Sequence, residues 1–401
     1  MRKRFSCTIE EGLSKQAPFE NLTSLCGLNT IFSRAKTPEA APWYRTPHKA
    51  MAKKMSKRVL SLLHSDEHVL GILNQTNEFL ETTKSDVADR TTDSVWILRS
   101  LHDLLPETTE SIWSGHIFPL SEAAYELESS IVFCKLGFYK HAIGCLRNVL
   151  ELGLLSVYWD IEGQSHIDIQ TWLRSLESTP FRKNVFAKLK RNQNILTFDK
   201  MHRIFEETSQ LYEELCNFAH TKGIRFSSRA LSPSNINVFH EGSIKLWLDF
   251  LLRVMRTVAA FHILKYPVAL QYTPIDDKFG LKGPTGGFLL PFQADRIRSL
   301  YSTEVAATLQ TISDNDSVAT SMAEWVNAKP DLTGEEWQAQ VESQDQQEIE
   351  AWGFERWLEN GRGTFEFLKE VAPDEYPKRL AYVERMRAWA RKHGFLKKEP
   401  E

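Results

Sequence analysis

Residues 136–159 read LGFYKHAIGCLRNVLELGLLSVYW. Ile143, Leu146, Val149, Leu150, Leu154 and Leu155 recur at helical spacing and leave little of the segment polar. Arg147 and Glu151 interrupt it, one helical turn apart. A membrane span of about 20 residues carries few or no charges. The segment therefore reads as a buried helix of a bundle, inside a longer helix running from Ser121 to about Asp160. LWLDFLLRVMRTVAAFHIL, residues 246–264, is broken in the same way by Asp249, Arg253 and Arg256. No membrane partner is expected.

Charges among leucines need partners. Arg followed by Glu at i+4 is the weaker order for a helical ion pair, given the helix dipole. Two readings stay open. Arg147 and Glu151 fix helix packing as an interior pair, or Arg147 waits for an anionic group that Glu151 helps to position.

A second stretch, LYEELCNFAHTKG at residues 211–223, has Leu211, Leu215 and Phe218 for a core. Glu213, Asn217 and His220 share another face. A histidine with its usual pKa near 6.5 can move a proton at neutral pH. A histidine at a helix C-terminus can equally be a partner of the helix dipole. Lys222 follows, and Gly223 stops the helix.

The surrounding chain is helical in pattern. Residues 1–55, with scattered proline and a basic excess, read as a weakly ordered arm. Residues 56–270 read as a helical bundle. Within it Asp93 is the expected cap of SVWILRSLHDLL, and Asp199 of the helix that carries His220. Residues 224–239 read as a loop. Residues 271–293, rich in Pro, Gly and Asp, read as a linker. Residues 294–401 read as a small C-terminal helical domain, rich in tryptophan and ending in a basic amphipathic helix. The expected fold class is all-α. FRKNVFAKLKR, residues 181–191, interleaves cations with phenylalanine. Its Arg182, Lys183, Lys188, Lys190 and Arg191 are candidates for RNA contact, with Lys222.

Composition narrows the functional classes. Of 401 residues, 42% are hydrophobic and 25% charged, and the net charge is -3. This is an ordinary globular balance, without the charge excess that coats nucleic acid in bulk. The five cysteines form no Cys-x-x-Cys pair, which points to a reducing cytoplasm rather than a disulfide scaffold. No metal and no cofactor are expected. GLKGPTGG lacks the Gly-Lys-Ser/Thr end of a phosphate-binding loop.

Residues 136–159, followed some sixty residues later by 211–223, resemble the helical core of HEPN-like domains, over about residues 115–265. The resemblance implies an RNA-binding protein or a metal-independent endoribonuclease, an effector of phage defence or a toxin. His220 would be the acid or base, Arg147 the phosphate clamp, and Asn217 and Glu151 the positioning groups. Active members carry an arginine shortly before the histidine. Here the positions from four to seven before His220 are Cys216, Leu215, Glu214 and Glu213, so Arg147 would have to supply that cation. The resemblance also implies a homodimer through the core helices. The alternative is a non-catalytic scaffold that binds a protein partner through its C-terminal domain.

Overall fold

The computed structural model describes residues 65–82, 86–105, 117–161, 166–180, 182–232, 237–284 and 286–396. The N-terminal arm expected over 1–55 lies outside them. Among the described residues there is no strand, and the fold is all-α. The helices of the first part are α1 (Asp66–Thr82), α2 (Val87–Leu104), α3 (Ile117–Lys135), α4 (Tyr139–Asp160), α5 (His166–Leu173), α6 (Arg182–Leu189), α7 (Gln193–His202) and α8 (Ile204–Ala219). Next come α9 (Ser228–Leu231), α10 (Glu241–Lys265), α11 (Ile275–Phe279), α12 (Pro291–Arg298), α13 (Thr303–Asn315), α14 (Ser317–Asn327), α15 (Gly334–Trp352), α16 (Phe354–Val371) and α17 (Tyr376–His393). None of them is long and apolar enough to cross a membrane.

The apolar run of the opening stretch becomes α4, the central helix. It packs against α3, α6, α8 and α10. Leu146, Val149, Leu150 and Val157 are fully buried there, which is why the segment is apolar on several sides rather than on one stripe. The expected single helix from Ser121 to Asp160 is in fact the hairpin α3–α4. Gly137, with φ +77°, makes the turn. A side chain is strained at that φ, whereas glycine is not. Ser130 of α3 sits at the core of this packing. Its hydroxyl donates to Ala142 O at 2.7 Å and accepts from Trp247 Nε1 at 2.8 Å. Three helices are thus joined by one buried group with its hydrogen bonds made.

Two capping expectations are corrected. The helix expected to start at Asp93 begins at Val87, after Asp86. Asp93 lies inside α2 and holds Arg296 at 3.2 Å. Asp199 lies within α7 rather than at a helix start. It still serves the next helix, because its Oδ1 accepts from Phe205 N at 3.1 Å.

The C-terminal region expected at 294–401 holds two parts. Ile297, Leu309, Ile312 and Ala319 join the core of the main bundle, so α12–α14 belong to it. Helices α15–α17 have their own core of Ile349, Phe354, Trp357, Tyr382, Val383, Met386 and Ala390. Asp345 lies at its polar edge, accepting from Trp357 Nε1 at 2.8 Å and from the Tyr382 hydroxyl. The expected linker contains α11, and Lys278 of that helix holds Asp331 at 2.7 Å.

Candidate functional site

Helices α4 and α8 run antiparallel. Lys140 near the start of α4 donates to Thr221 Oγ1 just past the end of α8, and Arg147 reaches Tyr212. On its other side α8 is tied to α10 by Arg253, whose Nη1 and Nη2 meet the two oxygens of Glu214 at 2.8 and 2.9 Å. Such a forked contact fixes the rotation of a helix as well as its position. Tyr212 is thereby held facing α4.

Three side chains form a closed triangle there. Arg147 Nη2 donates to Glu151 Oε1 at 2.8 Å and to the Tyr212 hydroxyl at 3.1 Å. The Tyr212 hydroxyl donates to the same Glu151 oxygen at 2.6 Å. Arg182 of α6 lies over the Tyr212 ring, 4.8 Å from its centroid, and Arg147 is 5.4 Å from that centroid. Both are within reach of a cation–π attraction. Arg182 is otherwise held by long contacts, 3.4 Å to Ser209 O and 3.7 Å to Glu213. Arg147 Nε is buried and has no hydrogen-bond partner among the described residues, which costs free energy until an acceptor reaches it.

These groups line a cavity of about 490 Å³. Leu150, Leu154, Val185 and Phe186 supply its apolar wall, and Glu126 and Asn148 add polar groups. Its size falls within the range of small-molecule sites. Burial and the bond to Glu151 push the Tyr212 hydroxyl up to about 12. Burial alone would lower the pKa of Arg147, but its bond to Tyr212 and the charge of Glu151 outweigh that and raise it. The site therefore presents two guanidiniums, Arg147 paired with the Glu151 carboxylate and Arg182 over the ring, and a protonated tyrosine at neutral pH. An anion joined to a flat or apolar group would have to compete with Glu151 for Arg147, while Arg182 is held only by longer contacts.

His220 is elsewhere. It caps the C-terminus of α8, exposed to solvent, with its backbone N–H donating to Cys216 O at 2.9 Å. Eight residues of helix separate it from Tyr212, about 12 Å at 1.5 Å per residue. The Arg147 guanidinium points toward Glu151, away from the Lys140–Thr221 contact that marks the level of His220. The structure thus brings Arg147 and Glu151 together but not His220 with them. Asn217 is half-buried on α8, five residues beyond Tyr212.

Of the other expected contacts, Lys183, Lys190, Arg191 and Lys222 are exposed. Lys190 lies 4.9 Å from the Phe205 ring centroid and Lys188 lies 4.4 Å from that of Tyr158. No group of metal-ligating side chains occurs among the described residues.

Tyr212 is the residue that sequence reasoning passed over. Its signal was present, an aromatic hydroxyl between the apolar face of Leu211 and Leu215 and the polar face of Glu213. Arg182 was named for its charge, but its place over Tyr212 depends on how α6 folds back.

Compared with protein-family models, with curated proteins and with solved structures, the chain finds no match. The HEPN-like reading of the core rests on its residue pattern.

Proposed function

We propose that this chain is an RNA-binding helical-bundle protein that grips the strand at the Arg147–Tyr212–Arg182 pocket without cutting it. One observation carries the reading: two guanidiniums share one tyrosine ring at the edge of a cavity with a leucine-lined wall. A guanidinium offers forked donors to phosphate oxygens. An apolar wall beside an aromatic ring suits an unstacked base, the usual target in single-stranded RNA. Lys183, Lys190 and Arg191 lie exposed on or just after α6 and extend the cationic track along which a backbone would run.

The geometry supports binding over cleavage. Metal-free cleavage needs an acid or base of suitable pKa at the scissile phosphate. Tyr212, held protonated up to about pH 12, is no base at neutral pH. His220 is two turns of helix from it. An effector role in the cytoplasm, in defence or as a toxin, would then rest on sequestering RNA.

The test is anisotropy of a labelled single-stranded RNA with the full chain in EDTA, with a gel run on the same samples. The expected result is salt-dependent binding, weakened about tenfold or more by Arg147→Ala and by Arg182→Ala, roughly 1.4 kcal/mol each, with the RNA intact. RNA cut by the wild type and spared by His220→Ala would replace the binding reading with a nuclease. Absence of binding would leave the partner-binding scaffold, which the exposed Trp352 on α15 favours.

A further inference from the structure

The Arg147–Glu151–Tyr212 triangle leaves part of each charged group unused. Glu151 Oε1 accepts both bonds, from Arg147 Nη2 and from the Tyr212 hydroxyl. Glu151 Oε2 takes no hydrogen bond from the described residues. Arg147 uses Nη2 alone for its bonds to Glu151 and Tyr212, so other N–H groups of the guanidinium stay open to an acceptor. The cavity lining thus sets a carboxylate oxygen in want of donors beside N–H groups in want of an acceptor. Glu126 adds a second carboxylate to the same lining. An ionised carboxylate only accepts hydrogen bonds, and it repels a lone pair brought against it.

An unstacked RNA base offers its Watson–Crick edge to such a lining. Uracil sets its one N–H between two carbonyl oxygens. Adenine and cytosine each set an amino group beside a bare ring nitrogen. In all three a lone pair faces the carboxylate next to the donor. Guanine alone has two adjacent donors, N1–H and the N2 amino group, followed by an acceptor, O6. That order matches Glu151 followed by Arg147. The cavity of about 490 Å³ has room for one nucleoside rather than a stacked run. Leu150, Leu154 and Val185 supply an apolar wall for the face of the base. Arg182, held at 3.4 and 3.7 Å by its partners, is left for the phosphate. We propose that this pocket selects guanine, whose N1–H and N2–H donate to the Glu151 carboxylate while Arg147 donates to O6. The inference rests on the RNA-binding reading of this site and adds the base that it chooses.

Short labelled oligouridines that carry one central guanosine, inosine, adenosine or cytidine test it, by anisotropy with the full chain. Unlabelled GMP and AMP serve as competitors. The guanosine strand should bind about tenfold or more tighter than the adenosine and cytidine strands, as for one bidentate base contact. Inosine lacks the N2 amino group and should fall between. Glu151→Gln should bring the guanosine strand down to the level of the others, since an amide sets a donor against one of guanine's donors. Plain oligouridine should bind that variant as it binds the wild type. GMP should displace the guanosine strand at concentrations where AMP does not. Equal affinity of the wild type for all the strands overturns the choice of guanine and leaves RNA binding standing. A preference that survives Glu151→Gln, or an inosine strand that matches guanosine, overturns the contact with Glu151. Binding of GMP without any strand keeps the guanine pocket and overturns the RNA reading instead. A chain that binds neither strand nor GMP overturns both.

Discussion

Tyr212 gives the Arg147–Glu151 pair its geometry. The pair alone is an exposed-edge helical contact in the weaker order, with side chains 24% and 38% accessible, and such pairs contribute little. The hydroxyl adds one bond to each partner. Tyr212→Phe removes both bonds while keeping the ring, and should cost roughly 1–2 kcal/mol of stability, read by urea denaturation. His262 tests the interior. It is fully buried, and burial, with His102 nearby, lowers its pKa from 6.5 to about 4. The fold therefore favours the neutral ring. That contribution is fully present above pH 6.5 and is lost as pH falls toward 4, up to about 3 kcal/mol. His262→Leu should flatten the fall in stability across that window. At this scale the sequence showed Arg147 and Glu151 as charges in need of partners, because apolar neighbours are visible in one dimension. It could not show that Tyr212 and Arg182 converge on them, because that depends on how α6 and α8 pack against α4.

Among the elements, α4 and α10 cross closely at Gly153. A Cβ there would lie 2.7 Å from both methyl carbons of Val258. Valine is stiff at χ1 and has no easy way to yield. Gly153→Ala should therefore destabilise the fold by about 1–3 kcal/mol, despite the better helix propensity of alanine. The double variant Gly153→Ala/Val258→Ala should recover part of the loss, and thermal melts of the three proteins would show it. The helices α4, α8 and α10 were legible because apolar spacing persists over many turns. The hairpin at Gly137 was not, because apolar residues run through it on both sides and disguise a reversal as one long helix. The start of α2 was misplaced because Asp93 resembles a cap, whereas its carboxylate serves Arg296.

For the whole molecule, the described residues hold a main apolar core and a smaller one in α15–α17, beside a minor cluster of Leu155, Trp159 and Ile169. Asp345 closes the smaller one, taking bonds from Trp357 and Tyr382, which are both buried. Asp345→Ala would strand two donors and should cost the α15–α17 unit about 3 kcal/mol. Limited proteolysis should then cut within α15–α17 while the main bundle survives. That helices continue beyond residue 294 was readable from the tryptophan-rich, helix-patterned tail. Which helices belong to it was not, since α12–α14 carry ordinary amphipathic patterns and only packing assigns them to the main core. The two cores also set a hierarchy of protection in hydrogen exchange. Amides of α15–α17 should exchange together, as one cooperative block, and at a lower opening free energy than those of α4 and α10. A transient opening of that block exposes its apolar residues and leaves the larger core closed. Among the described residues, degradation should therefore begin within α15–α17.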